Sequence, residues 1–270
     1  MIMKKLLVIM PMAGEGKRFA QTGEQILKPF IKVDNEFMFV RAMNSMREMF
    51  NDYELYFELV VLDNVAKQYD LDNIVSSMKN TYVRKLYEKT KGPAETVLYG
   101  INDILHECTE IASYYYNIQT IVLDCDLEVN CKEFKHFVDM NNIFIKKPFD
   151  CILLTHHETN PRYSYVKLYE NLRVINIAEK NPISEHAIIG TYCFSSVYDL
   201  LKHVKELLND MCSDENIKEP YMSDVVRCVL NNEGNVISAK LHEGDMYNSF
   251  GTPEELEEYK SKEENESYNK

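Results

Sequence analysis

Residues 6–19 read LLVIMPMAGEGKRF, an apolar run that passes directly into a loop with two glycines and two cations. The apolar part predicts a buried first strand, since it is too short for a membrane span and no cleavage site follows it. Gly14 and Gly16 would let backbone N–H groups approach a phosphate closely, and Lys17 and Arg18 would supply cationic donors. The stretch therefore predicts a phosphate site after the first strand, although a tight turn without a ligand fits Gly-x-Gly equally well.

Outward from this strand, short apolar runs alternate with segments of helical spacing. Strands are predicted over residues 6–10, 55–62, 120–123 and 151–155, and helices over 38–50, 94–106 and 132–142. Such alternation predicts an α/β fold with a mostly parallel, doubly wound, Rossmann-like sheet that has helices on both faces. Beyond residue 155, predicted strands at 163–169 and 172–178 flank a hairpin turn at Glu170-Asn171, and a strand at 187–194 completes an antiparallel segment. Helices are predicted over 196–208, 220–230 and, as a charged end, 254–270.

Charge and cysteine content exclude several classes of protein. The formal net charge is −13 over 270 residues, which argues against a nucleic-acid binder because such proteins present a basic surface. A few lysines in one cleft can still bind phosphate locally. No apolar run reaches the ~18 residues of a membrane-spanning helix, so no membrane partner is expected. Seven cysteines without a CxxC pair favour reduced thiols and a cytoplasmic location over structural zinc or disulfides.

A second motif begins ten residues after Arg18, where residues 28–33 read KPFIKV. The stretch from residue 9 to residue 38 resembles the N-terminal signature of the sugar-phosphate nucleotidylyltransferases, a GxGxRF loop followed by a KP element and a short strand. The resemblance implies that Arg18 stabilises charge at the transferring phosphorus and that Lys28 bridges the α-phosphate and the acceptor phosphate. It also implies that the loop holds the NTP phosphates through Ala13, Gly14, Gly16 and Lys17. Attack of one phosphate on another requires such cationic screening.

Two carboxylates end the apolar strand of residues 122–126, which read VLDCD. Carboxylates at the carboxyl end of a strand face the crevice in which open α/β sheets bind ligands. Mg²⁺ prefers one or two carboxylates together with substrate phosphates, so one side chain suffices. Asp126 matches the family's metal-binding aspartate and is the expected Mg²⁺ ligand; Asp124, expected on the opposite side of the strand, is the second choice. Alternatively, either aspartate caps the following helix or a turn.

Residues 91–98, KGPAETVL, resemble the family's small-residue helix start that lies against the nucleobase. The resemblance implies nucleotide contacts from Gly92 and Glu95. A carboxylate at position 95 accepts a hydrogen bond from the amine of cytosine. It cannot accept one from O4 of uracil or thymine, which is itself an acceptor, so the residue favours CTP. The alternative is a glutamate in the first helical turn that satisfies free backbone N–H groups.

Two later motifs are assigned to the acceptor. Residues 177–182, IAEKNP, resemble the family's EKP element, and residues 190–194, GTYCF, resemble its glycine-aromatic strand. The resemblance implies acceptor contacts from Glu179, Lys180 and Gly190. Taken alone, the same residues fit surface charge and a core strand. Each of three tyrosines is a candidate either for the pocket wall or for the core: Tyr163, Tyr165 and Tyr192.

The closing motif departs from the family's pattern. Residues 247–256, YNSFGTPEEL, resemble the run DxGTPEDL, in which many members carry a second Mg²⁺ ligand, an aspartate two residues before the glycine. Ser249 stands at that position. Either Asp245 substitutes from nearby, or the protein relies on one carboxylate.

The resemblance covers residues 5–257 and implies an enzyme that transfers NMP from an NTP to a sugar phosphate or another small phosphorylated acceptor, releasing pyrophosphate. It predicts a single domain over 1–257, with a nucleotide-binding half at 1–155, an acceptor-binding half at 156–257 and a charged tail at 258–270. CTP is favoured over UTP and dTTP, with Mg²⁺ as the cofactor. The compact form is most similar to stand-alone enzymes of surface-polysaccharide (capsule) pathways, such as glucose-1-phosphate thymidylyltransferases and phosphocholine cytidylyltransferases. The sequence leaves open whether the protein forms a homo-oligomer.

Two other classes of function are left open. A nucleotide-sugar-dependent glycosyltransferase of the GT-A type would use Asp124-Cys125-Asp126 as its metal motif, but its first strand need not carry the glycine loop and the Lys28-Pro29 pair. The other class is a binding protein that keeps the fold without catalysis, which Ser249 favours.

Overall fold

The structure, a computed structural model, describes residues 4–14, 19, 26–107, 116–143, 146–213 and 219–268. The strands are β1 Lys4–Pro11, β2 Lys32–Val33, β3 Glu36–Phe37, β4 Tyr53–Leu62, β5 Thr81–Leu86, β6 Thr120–Leu123, β7 Leu127–Asn130, β8 Cys151–His157, β9 Tyr165–Leu168, β10 Val174–Ala178, β11 His186–Phe194, β12 Val236–Lys240 and β13 Met246–Ser249. The helices are α1 Met38–Met49, α2 Asp63–Gln68, α3 Leu71–Val75, α4 Pro93–Glu107, α5 Lys132–Ile143, α6 Val197–Ser213, α7 Met222–Asn231 and α8 Pro253–Tyr268. Among the helices of these residues, none combines the length and the apolar composition needed to cross a bilayer.

Nine of the described strands form one sheet. Parallel strands in the order β5-β4-β1-β6 make up one part of it, and β11 continues the sheet antiparallel to β6. β8 pairs antiparallel with β11, β12 pairs parallel with β8, and the β9–β10 hairpin joins β11 through Tyr165 and Ala187. The predicted α/β fold, a mostly parallel core with an antiparallel addition, is confirmed.

After Lys4 and Lys5, the central strand β1 is apolar at every position because helices cover both faces of the sheet there. Alternate side chains of β1 enter different cores: Leu6, Val8 and Met10 pack on one face, and Leu7 and Ile9 pack on the other. All five are fully buried. Residues of α1 and α5 cover the first face, and residues of α4, α6 and α7 cover the second.

Most of the predicted elements occur within a few residues of their expected bounds. Asn171, in the predicted hairpin turn, has φ of 58°, a left-handed conformation that asparagine tolerates in turns. The sequence pattern does not predict β5, because the strand carries a charged residue on its buried face. Arg84 of β5 is buried there, and its Nε donates to Glu58 Oε2 at 2.7 Å. This ion pair replaces the apolar side chain that a strand pattern would show.

Candidate functional site

The carboxyl ends of the parallel neighbours β1 and β6 open into a cleft of about 810 Å³. This volume is in the range of small-ligand sites, and the edge where parallel strands end is where open α/β sheets bind ligands. Segments far apart in the sequence bring predicted residues to its wall: Ala13, Gly14, Lys28, Gly92, Asp124, Glu179, Lys180 and Gly190. The cleft therefore gathers the nucleotide motifs and the acceptor motifs in one place.

The predicted phosphate loop starts at the wall of this cleft. Ala13 and Gly14 line it directly after β1. The N–H of Met12 donates to Val60 O at 2.8 Å, which ties the start of the loop to the neighbouring strand β4. Gly16, Lys17 and Arg18 lie outside the described residues, so their phosphate contacts stay predictions.

Basic residues gather in the cleft although the whole chain carries a net charge of −13. Two of them pair with acidic residues just outside its lining, Lys28 with Asp126 and Arg162 with Glu255. Its described lining holds five basic residues, Lys28, Lys89, Lys91, Arg162 and Lys180, against three acidic ones, Asp124, Glu179 and Glu219. A local excess of positive charge attracts anions even when the net charge is negative. The charge distribution therefore suits a ligand with phosphate groups.

Lys28 and Asp126, the two predicted catalytic residues that the structure describes, form an ion pair. Lys28 begins a 3-10 turn whose Phe30 is buried and stacks on the Tyr69 ring, with 3.9 Å between the centroids. Burial lowers the pKa of Lys28, but the neighbouring Asp126, Cys125 and Asp124 together outweigh burial and raise the pKa above its ordinary value. The ammonium is therefore charged, and it is held where β6 ends.

Asp124 corrects one prediction. The expectation that its side chain points to the opposite side of the strand from Asp126 is wrong, because side chains two residues apart in an extended chain point to the same side. Asp124 and Asp126 both line a smaller pocket of about 150 Å³. The N–H of Asp124 donates to Gly190 O at 2.8 Å, and a Cβ on Gly190 would lie 1.9 Å from Asp124 Oδ2. Gly190 therefore makes room for the Asp124 carboxylate.

The paired aspartates fit a Mg²⁺ ion carried by substrate phosphates. Asp124 is open to water on the cleft floor, but protein surrounds its other sides. The surrounding protein, which limits the hydration of the carboxylate, and the neighbouring Asp126 carboxylate raise the pKa of Asp124 to about 7. Two carboxylates that close together favour a bound cation. Among the described residues, no group of three or more His, Cys, Asp or Glu side chains is placed to hold a metal, so further ligands would come from the substrate.

The alternative role for Asp124 and Asp126 is to cap the next helix, α5. Another residue, Asp245, caps that helix. Asp245 Oδ1 accepts from the N–H of Lys132 at the start of α5, at 3.3 Å. Its other carboxylate oxygen accepts from the N–H of His242 at 2.9 Å. The prediction that Asp245 could replace the missing metal ligand is therefore wrong. Asp245 comes just before Met246, the residue at the start of β13, which pairs with Asn130. Ser249, at the other end of β13, pairs with Leu127, beside the site.

Glu255 is the acidic residue that approaches Asp126 from the closing motif. A Cβ on Gly251 would lie 2.9 Å from Asp126 Oδ2, 3.1 Å from Glu255 Oε2 and 3.5 Å from Ser249 Oγ. The other Glu255 oxygen forms an ion pair with Arg162 and accepts from the Tyr163 hydroxyl at 3.0 Å. Sequence reasoning missed Arg162 and Glu255. Glu255 lies within the quoted closing run, but only the fold brings it to Asp126.

At the start of α4, Gly92 faces the cleft and Glu95 does not. Gly92 lines the cleft, and a Cβ there would lie 2.8 Å from Pro220 Cδ, so its small size lets the segment before α7 pack closely. Glu95 Oε2 accepts from the N–H of Lys91, and Glu95 is absent from the described cleft lining. This is the alternative role, a first-turn carboxylate that satisfies a backbone N–H. The structure gives no contact on which a CTP preference would rest.

The predicted acceptor residues Glu179, Lys180 and Gly190 also line the cleft. Glu179 Oε2 accepts from the Ser164 hydroxyl and, at 2.6 Å, from the Ser223 hydroxyl. The Lys180 ammonium contacts the Tyr221 hydroxyl and lies 4.1 Å from the centroid of that ring. The three candidate tyrosines separate: Tyr192 lines the cleft, Tyr163 lines the smaller pocket, and Tyr165 is fully buried in the core.

Solved structures with the same arrangement of elements extend these findings. A nucleoside-diphosphate-sugar pyrophosphorylase from Vibrio cholerae RC9 superimposes with a TM-score of 0.74 at 21% identity, over 93% of this chain and 98% of that chain. This chain has the fold of the sugar-phosphate nucleotidylyltransferases. No protein-family model and no curated protein sequence matches it.

Two further nucleotidylyltransferase-fold structures match over nearly their full length. The inositol-1-phosphate CTP transferase from T. maritima gives a TM-score of 0.65 at 15% identity, over 94% of this chain and 91% of that chain. An apo-UDP-glucose pyrophosphorylase gives 0.67 at 15% identity, over 97% of this chain and 100% of that chain. The likeness therefore extends over both predicted halves of the chain.

Proposed function

We propose that this chain is a nucleotidylyltransferase, which transfers NMP from an NTP to a sugar phosphate or another small phosphorylated acceptor and releases pyrophosphate. The observation that carries the proposal is the Lys28–Asp126 pair beside Asp124, at the carboxyl end of β6 in a cation-rich cleft. The neighbours support it, since each is named as a pyrophosphorylase or a nucleotide transferase.

The reaction needs no covalent intermediate on the protein. An oxygen of the acceptor phosphate attacks the α-phosphorus of the NTP, the bond from that phosphorus to the bridging oxygen breaks, and pyrophosphate leaves with the electron pair. Catalysis of this kind is positioning and charge neutralisation. Lys28 is placed to move from Asp126 to the phosphates and reduce the repulsion between the two anions. Asp126 and Asp124 would hold Mg²⁺, which supplies further positive charge at the phosphates when bound.

The contacts of Glu95, Glu179 and Lys180 bear on which base and which acceptor the protein takes. CTP, UTP and dTTP are all candidates, because Glu95 is engaged with Lys91 at the start of α4. Glu179 and Lys180 in the cleft suit a polar acceptor whose hydroxyl and phosphate groups they would contact. By resemblance, we propose a cytoplasmic enzyme that supplies surface-polysaccharide precursors such as those of capsules.

A screen for pyrophosphate release tests the proposal: CTP, UTP, dTTP, ATP and GTP against a panel of phosphorylated metabolites with Mg²⁺. With the NTP and acceptor that give pyrophosphate in this screen, we expect Lys28→Ala and Asp126→Ala each to lower turnover by about two orders of magnitude or more. This is the scale of removing one charge-stabilising group. Lys79→Ala, at an exposed lysine outside the cleft, is the control and should keep wild-type turnover. Near-wild-type turnover in either site variant would contradict the assignment.

A GT-A glycosyltransferase is the second candidate, because Asp124 and Asp126 face the same pocket as a DxD motif would. The same screen separates the two. A glycosyltransferase would release a nucleoside diphosphate from a nucleotide sugar and no pyrophosphate from an NTP. Absence of any Mg²⁺-dependent NTP binding by calorimetry would instead favour a binding protein without catalysis.

A further inference from the structure

Arg162 lies between β8 and β9, and its side chain lines both the cleft and the smaller pocket. Its guanidinium lies over the Tyr163 ring, 4.6 Å from the centroid, and Nη2 donates to the Tyr163 hydroxyl at 2.5 Å. The same nitrogen forms the ion pair with Glu255 Oε1. The side chain is therefore held in a fixed orientation, 26% exposed.

Most donors of this guanidinium have no acceptor among the described residues. Every side-chain hydrogen bond and ion pair that the structure gives Arg162 uses Nη2, and Nε is buried without a hydrogen-bond partner. The backbone N–H of Arg162 donates to Asn160 Oδ1. Leaving a buried donor unpaired costs roughly 1–3 kcal/mol. A guanidinium offers a planar fork of donors that matches two oxygens of a phosphate. An anion bound in the cleft would satisfy these donors.

The neighbours of Arg162 place it on the acceptor side of the cleft. Two residues along the chain, the Ser164 hydroxyl donates to Glu179, a predicted acceptor residue. The partner of Arg162, Glu255, approaches Asp126 beside Gly251, where Ser249 replaces the carboxylate of the family pattern. This wall therefore offers an arginine next to a site that has lost one negative charge.

We propose that Arg162 binds the phosphate of the acceptor and holds it beside Lys28 for attack on the α-phosphorus. The proposal rests on the nucleotidylyltransferase function proposed above. Glu255 and Tyr163 position the guanidinium, and the anion takes the donors that they leave free. The nucleotide phosphates would lie across the cleft, at the loop that follows β1.

Titration calorimetry with methyl phosphate, a monoester of the acceptor's chemical class, tests this role. We expect Arg162→Gln to bind methyl phosphate about tenfold more weakly or worse, the loss of a charge-assisted pair of hydrogen bonds. Glu255→Gln keeps an amide oxygen that accepts from Nη2 and so keeps the guanidinium in position, but it removes a competing negative charge. We therefore expect it to bind methyl phosphate as tightly as wild type or more tightly. Arg173→Gln, at an exposed arginine outside the cleft, should be unchanged.

A purely structural role for the Arg162–Glu255 pair gives a different result. Arg162→Gln and Glu255→Gln would then lose affinity equally, which overturns the proposal, as does wild-type affinity in Arg162→Gln or no binding by wild type. If Arg162→Gln does not fold, Arg162→Lys replaces it; it keeps the charge but not the fork, and the proposal requires it to bind methyl phosphate more weakly than wild type.

Titrations with CTP, UTP and dTTP in Mg²⁺ separate this proposal from the proposed function. Arg162→Gln should keep wild-type NTP affinity; a loss as large as that for methyl phosphate would place Arg162 at the nucleotide and overturn the proposal. If wild type binds methyl phosphate through Arg162 but binds no NTP, the nucleotidylyltransferase function fails and the phosphate site remains.

Discussion

Gly190 and Asp124 show how single residues set the geometry of the site. β11 runs antiparallel to β6, so Gly190 lies directly beside the residue that follows β6. Any side chain at position 190 would occupy the space of the Asp124 carboxylate, with Cβ-to-atom distances of 1.9 Å to Oδ2 and 2.7 Å to Asp124 Cβ. The glycine predicted as an acceptor contact therefore also positions a candidate metal ligand.

Gly190→Ala tests this contact. We expect the methyl group to force Asp124 to another rotamer, which lowers stability by about 1–3 kcal/mol, as overpacking does, and lowers turnover further than the fold loss explains. The measurement is urea unfolding together with pyrophosphate release. In an Asp124→Ala background, the same glycine substitution should cost much less stability, because the clashing carboxylate is gone. Equal stability costs in the two backgrounds would show that Gly190 does not act through Asp124.

At the level of elements, the start of α4 separates two roles that the motif suggested together. Gly92 brings the loop into the cleft, whereas Glu95 turns back and accepts from the N–H of Lys91. A carboxylate near a helix N-terminus stabilises free N–H groups and the positive end of the helix dipole. Glu95 therefore stabilises the element that presents the cleft wall.

Glu95→Gln separates this stabilising role from base recognition. We expect a loss of about 0.5–1 kcal/mol in unfolding free energy and an unchanged ranking of CTP, UTP and dTTP in the pyrophosphate assay. Glu88→Gln, at an exposed residue in the loop before α4, is the matched control. If Glu95→Gln changes the ranking of CTP, UTP and dTTP and Glu88→Gln does not, Glu95 recognises the base.

At the scale of the whole molecule, one sheet joins the two predicted halves. β8 from the first half pairs with β11 and β12 from the second, and β11 also pairs with β6. Removing residues 156–257 would uncover strands that are buried on both faces. The single domain over 1–257 stays a prediction, and the shared main sheet leads us to expect that neither half folds alone.

The continuous sheet predicts one cooperative unfolding transition. Circular dichroism and the fluorescence of the 18 tyrosines should give the same urea midpoint, and a fragment of residues 1–155 should lack the far-UV spectrum of a folded protein. Two separated transitions, or a folded fragment, would show that the halves are independent domains.

The sequence by itself determined the features that depend on neighbouring residues. Residues 6–10 are apolar throughout because β1 is covered on both faces, and Glu170-Asn171 forms its turn because asparagine tolerates a left-handed backbone. The Lys28 and Asp126 motifs could be assigned because each is carried by a short run. Only the tertiary structure decided that Asp124 shares a pocket with Asp126, that Glu95 turns away, and that Arg162 and Glu255 meet beside them. The Arg162–Glu255 ion pair joins residues 93 positions apart. The pocket at Asp124 and Asp126 is completed by Gly190 and Gly251 from later segments of the chain, so no local pattern of the sequence encodes it.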